Sequence, residues 1–318
     1  LSKEAKYRRI LTGSPVTQSP MDLWSQMDFL DPEILDQTSF YAFRTRYAVM
    51  ISSTAAGGTH KYQKIVKFKN LKELGEKVAP HSYRILKKDC LDLPDKVFQK
   101  RIVELTDEQT KAYEMMRRNA IAILNGEAMS APNVLTQLIR LHQIVCGHMK
   151  TDEGNMIELK SNRINELMNI LDETSGKVII WANYINDIKA IEKEIQKEYG
   201  FDSCCTYFGE TKTEDRQICI NKFQDPNSSI RFFIGNTQTG GYGITLTEAS
   251  TVNYYSNNYD LEKRMQSEDR AHRIGQKNKV NYIDLVAPKT VDEKIIKALR
   301  NKVNIAKEIS GEELSEWI

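Results

Sequence analysis

Gln266-Ser-Glu-Asp-Arg-Ala-His-Arg-Ile-Gly-Gln276 runs almost directly into Val280-Asn-Tyr-Ile-Asp-Leu-Val286. The first stretch has the spacing of a helix that Ile274-Gly275 stops; the second is a short apolar strand. Arg270 and Arg273 are three residues apart, so on a helical turn they share a face. A solvated helix face uses the same residue types. The planar guanidinium fork, however, also binds phosphate oxygens two at a time and keeps its charge. Helix, stop and strand together predict that the pair sits at a helix end beside the edge of a sheet, where α/β folds usually bind ligands.

Upstream of that stretch, from about residue 161, short apolar runs alternate with amphipathic ones. Strands are predicted at Val178–Ala182, Ser203–Phe208, Arg231–Gly235, Thr251–Tyr255 and Val280–Val286. Helices are predicted at Asn162–Leu171, Ile185–Tyr199, Thr213–Phe223 and Leu261–His272, with a long one from Val291. Such alternation means a parallel sheet with helices on both faces. Residues 31–155 read as mostly helical, broken by a small polar loop or hairpin tip at Ser52–His60. Within them Thr106 is placed to cap a helix over Thr106–Asn119, and Asn133–Cys146 is amphipathic. Residues 1–10 read as a basic helix end, with a short strand at Arg9–Thr12 stopped by Gly13-Ser14-Pro15.

A chain of 318 residues exceeds what one hydrophobic core usually holds, so two domains are expected. Composition is that of a soluble globular protein, with no apolar run of the ~20 residues that span a bilayer. Leu1 opens neither a signal peptide nor an initiator Met, which predicts a fragment. Five cysteines, with no CxxC among them, argue for a reducing compartment and against a disulfide or zinc framework. His142 and His148 have no Cys or acid at ligand spacing and read as structural. Net charge is only +2, but residues 37–101 hold 14 Lys/Arg against 5 Asp/Glu. That excess fits a phosphate-binding surface, and equally a lysine-rich insertion kept soluble.

Gly235-Asn-Thr-Gln-Thr-Gly-Gly-Tyr-Gly243 follows a predicted strand. Its glycines permit close approach of backbone amides to a phosphate, or φ > 0; an ordinary turn uses them as well.

Asp269-Arg-Ala-His-Arg-Ile-Gly-Gln276 resembles motif VI of the Swi/Snf-type branch of superfamily-2 helicases, the DNA translocases. Leu11-Thr12-Gly13-Ser14-Pro15 resembles their motif III, Lys177–Asn183 motif IV, and Gly235–Thr247 motif V. Gly209-Glu-Thr-Lys-Thr-Glu-Asp-Arg216 is similar to the Gly-x-Thr-x-x-x-x-Arg turn, and His81–Lys100 to the segment joining two lobes. The resemblance implies a RecA-like α/β fold. Residues 1–30 would end the first lobe, 31–160 form a helical linking region, and 161–318 form the second lobe. It implies that Arg270 and Arg273 are arginine fingers, with Gln266, Asp269, Gly241 and Gly243 beside bound ATP. Thr237, Gln238, Thr239, Gly240, Asn183, Lys212, Arg216, Lys87 and Lys88 would meet double-stranded DNA. Thr12, Gly13 and Ser14 would couple the two ligands. Lys212 and Arg216 also fit a solvated helix start. Gln238 stands where the family commonly has Lys or Arg, so backbone binding there should be weaker and less salt-sensitive. Tyr259 replaces a frequent Trp.

No Gly-x-x-x-x-Gly-Lys-Ser/Thr and no Asp-Glu-x-His box occurs. ATP and Mg²⁺ would therefore be held mainly by a first lobe of the same polypeptide, upstream of Leu1, and this chain alone should not hydrolyse ATP. The wording resembles phage and bacterial members, which would place the protein in the cytoplasm; a eukaryotic one would be nuclear. A DNA-binding module without catalysis, clamping through residues 37–101, is the alternative. A self-sufficient nucleotide enzyme built on Gly240–Gly243 ranks behind it.

Overall fold

The computed structural model describes residues 4–54, 61–85, 87–126, 131–151, 154–240 and 243–310. Helix α1 (Asp22–Leu30) and α2 (Phe40–Tyr47) lead into an antiparallel hairpin, β1 (Ala48–Thr54) and β2 (Lys61–Phe68), then α3 (Leu71–Val78) and a single turn, α4 (Lys87–Cys90). Strand β3 (Lys96–Ile102) precedes α5 (Asp107–Gly126) and α6 (Ala131–Cys146), and a small hairpin, β4 (His148–Lys150) with β5 (Met156–Glu158), follows. The remainder alternates: α7 (Asn162–Glu173), β6 (Lys177–Trp181), α8 (Ile185–Tyr199), β7 (Cys204–Tyr207), α9 (Thr213–Gln224), β8 (Phe232–Gly235). Then come the single turn α10 (Thr237–Gly240), β9 (Ala249–Tyr254), α11 (Leu261–Glu268), β10 (Val280–Val286) and α12 (Val291–Ser310).

Six strands form one parallel sheet in the order β3-β10-β9-β6-β8-β7. Every residue of β6 and β8 is buried, because alternate side chains serve two cores. Val178, Ile180, Phe232 and Ile234 face α7 and α8, meeting Leu167, Ile170, Ile188 and Ile191. Ile179, Trp181, Phe233 and Val252 face the other way, with Phe223 and Cys219 of α9. This is the RecA-like α/β architecture expected.

The differences from expectation have local causes. Residues 96–102 lie in the stretch read as helical, yet they form β3, which pairs with β10 from Lys96↔Val280 to Ile102↔Val286. Strand β10 is therefore inside the sheet and not at its edge. Residues 5–12 form neither helix nor strand; Leu11 is 97% exposed, and no strand among the described residues offers it a hydrogen-bond ladder. The tip at residues 55–60 lies outside the described residues. Helix α11 ends at Glu268, four residues early. The Glu268 carbonyl accepts from the Tyr282 hydroxyl at 2.9 Å, and the Arg270 carbonyl takes the amide of Leu246. Against the expectation of no disulfide framework, Cys205 on β7 and Cys219 on α9 form one disulfide. A strand-turn-helix brings their Cα atoms to 5.8 Å, a proximity that spacing along the chain does not show.

Thr106 caps α5 as expected, and reciprocally: its hydroxyl accepts from the Gln109 amide while Gln109 Oε1 accepts from the Thr106 amide, both at 3.2 Å. His142 and His148 are buried against Asp292 (3.4 Å) and Asp187 (3.1 Å). Among the described residues no His, Cys, Asp and Glu group is arranged to hold a metal, and no helix is long and apolar enough to cross a membrane.

Candidate functional site

Loops at the carboxyl ends of β6, β8 and β9 converge where β8 hands the chain across β6 to β9, the switch point at which parallel sheets bind ligands. Asn236 is the centre of that cluster. Its side-chain amide donates to the carbonyls of Ala182 and Asn183 (3.2 and 2.8 Å), and its Oδ1 caps the Gln238 amide at 2.8 Å. The Asn183 amide in turn donates to Ser256 Oγ at 2.8 Å. Asn183, Thr237, Gln238 and Thr239 are thus held together by short polar contacts. Thr237 is buried, Thr239 half-buried, and Gln238 exposed.

The glycines here do two different jobs. A Cβ on Gly240 would lie 2.5 Å from the Trp181 indole, so this glycine lets the helical turn sit on a buried ring. Gly243 has φ +72°, the left-handed region that glycine tolerates. Gly241 lies outside the described residues.

Gly243 leads to Ile244, where the glycine-rich turn meets the arginine pair. Arg270 and Arg273 both donate to the Ile244 carbonyl, at 3.1 and 3.2 Å. Arg270 Nε also donates to the Gln266 carbonyl at 2.8 Å. Neither arginine has a carboxylate partner among the described residues. Burial, and then the neighbouring Arg273 charge, push the Arg270 guanidinium below its ordinary pKa. Two half-buried like charges on one neutral carbonyl make a seat for an anion. Gln266 donates to Glu262 at 2.9 Å, and its Oε1 is buried without a partner. The arginine pair fits a polyphosphate; the Gln266 acceptor suits a hydroxyl or amino donor.

Asp269 faces elsewhere. Lys87 reaches it at 2.6 Å, and Lys96 bonds the adjacent Glu268 at 3.0 Å. His272 Nε2 meets the Pro94 carbonyl at 2.7 Å. Residues 87–96 are therefore strapped across the motif, and Lys87 is engaged by protein. The Lys88 side chain lies outside the described residues. Beyond the strap is a cavity of about 360 Å³, where Gly13, Ser14 and Pro15 come together with Met265, Glu268 and Asp269. The Thr12 hydroxyl accepts from the Ser14 amide at 3.1 Å, shaping that turn. Lys212 is exposed at the start of α9. Arg216 folds back to the carbonyls of Phe208 and Gly209 (3.0 and 3.3 Å), so its head braces the turn.

Sequence reasoning missed the support beneath this site. Arg264 is buried, bonds both oxygens of Asp284 and also Glu268 and Asn257, and lies 3.3 Å over the Tyr254 ring. Arg163, fully buried on α7, holds Asp292 and the carbonyls of Tyr255 and Leu285. Two signals were present: Arg264 and Glu268 at i,i+4 spacing, and an acid inside the apolar strand Val280–Val286.

An SNF2-related domain model matches residues 2–150, and a helicase conserved C-terminal domain model matches 160–275. The chain is 26% identical over 325 residues to the SWI/SNF chromatin-remodeling complex subunit snf22 of Schizosaccharomyces pombe, covering 95% of this chain and 19% of that protein. It is similar to the Sulfolobus solfataricus SWI2/SNF2 ATPase core domain, at 27% identity and TM-score 0.56, over 91% of this chain and 57% of that one. The same core in complex with dsDNA gives 28% identity and TM-score 0.53, over 91% and 59%. The chain spans between 13% and 29% of the length of curated relatives it matches, such as CHROMATIN REMODELING 4 of Arabidopsis thaliana at the low end.

Proposed function

From the premise that this chain belongs to the Swi/Snf family, we propose that it is the second motor lobe, with linking region, of a DNA-dependent ATPase that moves along double-stranded DNA. The observation that carries this reading is the convergence of Arg270 and Arg273 on the Ile244 carbonyl with no carboxylate partner among the described residues. A guanidinium already paired with an acid gives little to an incoming phosphate; these two exchange one neutral carbonyl for a full anionic partner.

ATP and Mg²⁺ would be held mainly by the first lobe of the same polypeptide. Arg270 and Arg273 would stabilise charge developing on the transferred phosphoryl group as arginine fingers. Gln266 offers an unpartnered acceptor beside them. Asp269, through Lys87 and Lys96, ties the motif to residues 87–96, and Gly13 and Ser14 face it across the cavity. Thr12, Gly13 and Ser14 would transmit closure. Ile244 belongs to the segment that continues from Thr237–Gly240, so motion of the arginines toward ATP pulls on the loops proposed to hold the DNA backbone: Asn183, Thr237, Gln238, Thr239 and Lys212. Arg216 acts there by shaping the turn.

ATP turnover with and without duplex DNA, on this chain alone and on the complete two-lobed protein, tests the reading. The chain alone should be silent and the complete protein stimulated by DNA. Arg273→Ala should lower the stimulated rate by about 10³-fold or more, the scale of an arginine finger. Turnover by the chain alone, or an unimpaired Arg273→Ala protein, refutes it.

A further inference from the structure

Residues 37–72 contain seven Lys/Arg and no Asp or Glu, and their centre is the β1–β2 ribbon. Elsewhere in the basic stretch several charges are neutralised: Lys77 by Asp36, Lys87 by Asp269, Lys96 by Glu268, Arg101 by Glu166 and Glu173. On and next to the ribbon, Lys64, Lys67, Lys69 and Lys72 make no ion pair among the described residues. The base of the ribbon is anchored. Arg46 and the Tyr47 hydroxyl both bond Glu73, the Lys69 amide bonds the Tyr47 carbonyl, and Asn70 bonds the Arg46 carbonyl.

The register organises its outer face. Val49 pairs with Lys67 and Ile51 with Lys64, while Met50 pairs with Ile65, leaving Val66 as an extra residue in β2. In a regular strand Lys64 and Lys67 would point to opposite faces. The bulge re-aims them onto one face, beside Val49 and Ile51. Val49 and Ile51 are 38% and 48% exposed, and both lysines are exposed. The two lysines are then separated by two strand steps, about 7 Å, the axial rise of two base pairs of a duplex at ~3.4 Å each.

We propose that the β1–β2 ribbon is a second duplex-DNA contact, distinct from the loops at the strand ends, gripping the phosphate backbone through Lys64, Lys67 and Lys69. It rests on the reading above that duplex DNA is the track. A bare two-stranded ribbon fits a major groove ~12 Å wide, and Val49 and Ile51 supply apolar contact for sugars or thymine methyl groups.

The test is duplex binding by fluorescence anisotropy against salt, comparing the full chain with its Lys64→Gln/Lys67→Gln/Lys69→Gln variant. Each lost phosphate contact removes about 0.9 from the slope of log affinity against log salt. The triple variant should lose about 2 to 3 slope units and about a hundredfold in affinity near 0.15 M salt. The Arg-substituted triple should keep both. In the complete protein, DNA-independent ATP turnover should not change in the Gln variant. An unaltered slope overturns the proposal. So does selective loss of binding to phosphatidylserine vesicles with DNA binding intact, which assigns the ribbon to a membrane surface. Arg273→Ala, which removes turnover and leaves duplex affinity in place, separates failure of the ribbon from failure of the motor reading.

Discussion

Arg264→Met is the substitution whose cost follows most directly from the structure. The arginine is 3% exposed and its partners Asp284 and Glu268 are 2% and 3% exposed. Its guanidinium makes charge-assisted bonds to Asp284 at 2.5 and 3.0 Å and to Glu268 at 2.9 Å. Burial alone would lower its pKa, but Asp284, Tyr254 and Glu268 raise it, so the ion is strongly held. Methionine restores much of the volume and none of the charge. Asp284 is then left buried with only Asn257 as a side-chain donor among the described residues, while Glu268 keeps Lys96. Breaking a buried pair from one side costs about 3–5 kcal/mol. For a domain of 150–250 residues, each kcal/mol moves Tm by about 2–4 °C, giving a fall of about 6–20 °C. Circular dichroism melts of the wild type, of Arg264→Met and of Arg264→Met/Asp284→Leu measure it. Removing both partners should recover most of the loss, because no uncompensated charge stays inside. The reasoning is refuted if Arg264→Met shifts Tm no more than the exposed control Arg118→Met. It is refuted equally if the double variant is no better than the single.

Gly240→Ala places a methyl 2.5 Å from the Trp181 ring; it should cost about 1–3 kcal/mol and alter Trp181 fluorescence, and an unchanged melt and spectrum refute the contact. Burial alone would raise the Asp292 carboxyl, but Arg163 and then His142 outweigh it and hold it at about 2. A depressed carboxyl stabilises the fold above its unfolded value and loses that contribution as pH falls through the folded one. Wild-type stability should therefore drop by on the order of 2 kcal/mol between about pH 4 and pH 2, a dependence missing in Asp292→Asn, as urea unfolding across that range will report. Gln238→Lys adds a charge at an exposed position of the strand-end cluster and should steepen the salt dependence of duplex binding by about one unit; titrations with an unchanged slope place Gln238 off the DNA.

The strands β6, β8 and β10 were legible because each is apolar on both faces, which only a doubly covered parallel strand requires. Strand β3 was not. Lys96-Val-Phe-Gln-Lys-Arg-Ile102 lies at the sheet's edge with charged residues on its solvent side, so its pattern is too mixed to separate from a polar helix. The arginine pair was legible through its resemblance to a family motif, spacing alone fitting a solvated face as well, and its shared target, the Ile244 carbonyl, was not, because a loop remote in sequence supplies it. Gly240 illustrates the same limit. Its glycine was readable as backbone freedom for a phosphate, whereas the neighbour that demands it is an indole on another strand. Arg264, Glu268 and Asp284 look like solvated charges until the fold closes over them.

The position of β3 has a further consequence, for the order of folding. Its sheet partner is β10, which is the last of the six strands in the chain. At ribosomal rates of about 5–20 residues per second, β3 waits on the order of ten to forty seconds for the ladder that completes it. Through that interval its amides and carbonyls face water with Val97 and Phe98 uncovered, an open template for another chain. The charges at Lys96, Lys100 and Arg101 that blur its pattern in the sequence are also what discourage such pairing. They keep the waiting strand soluble until β10 arrives.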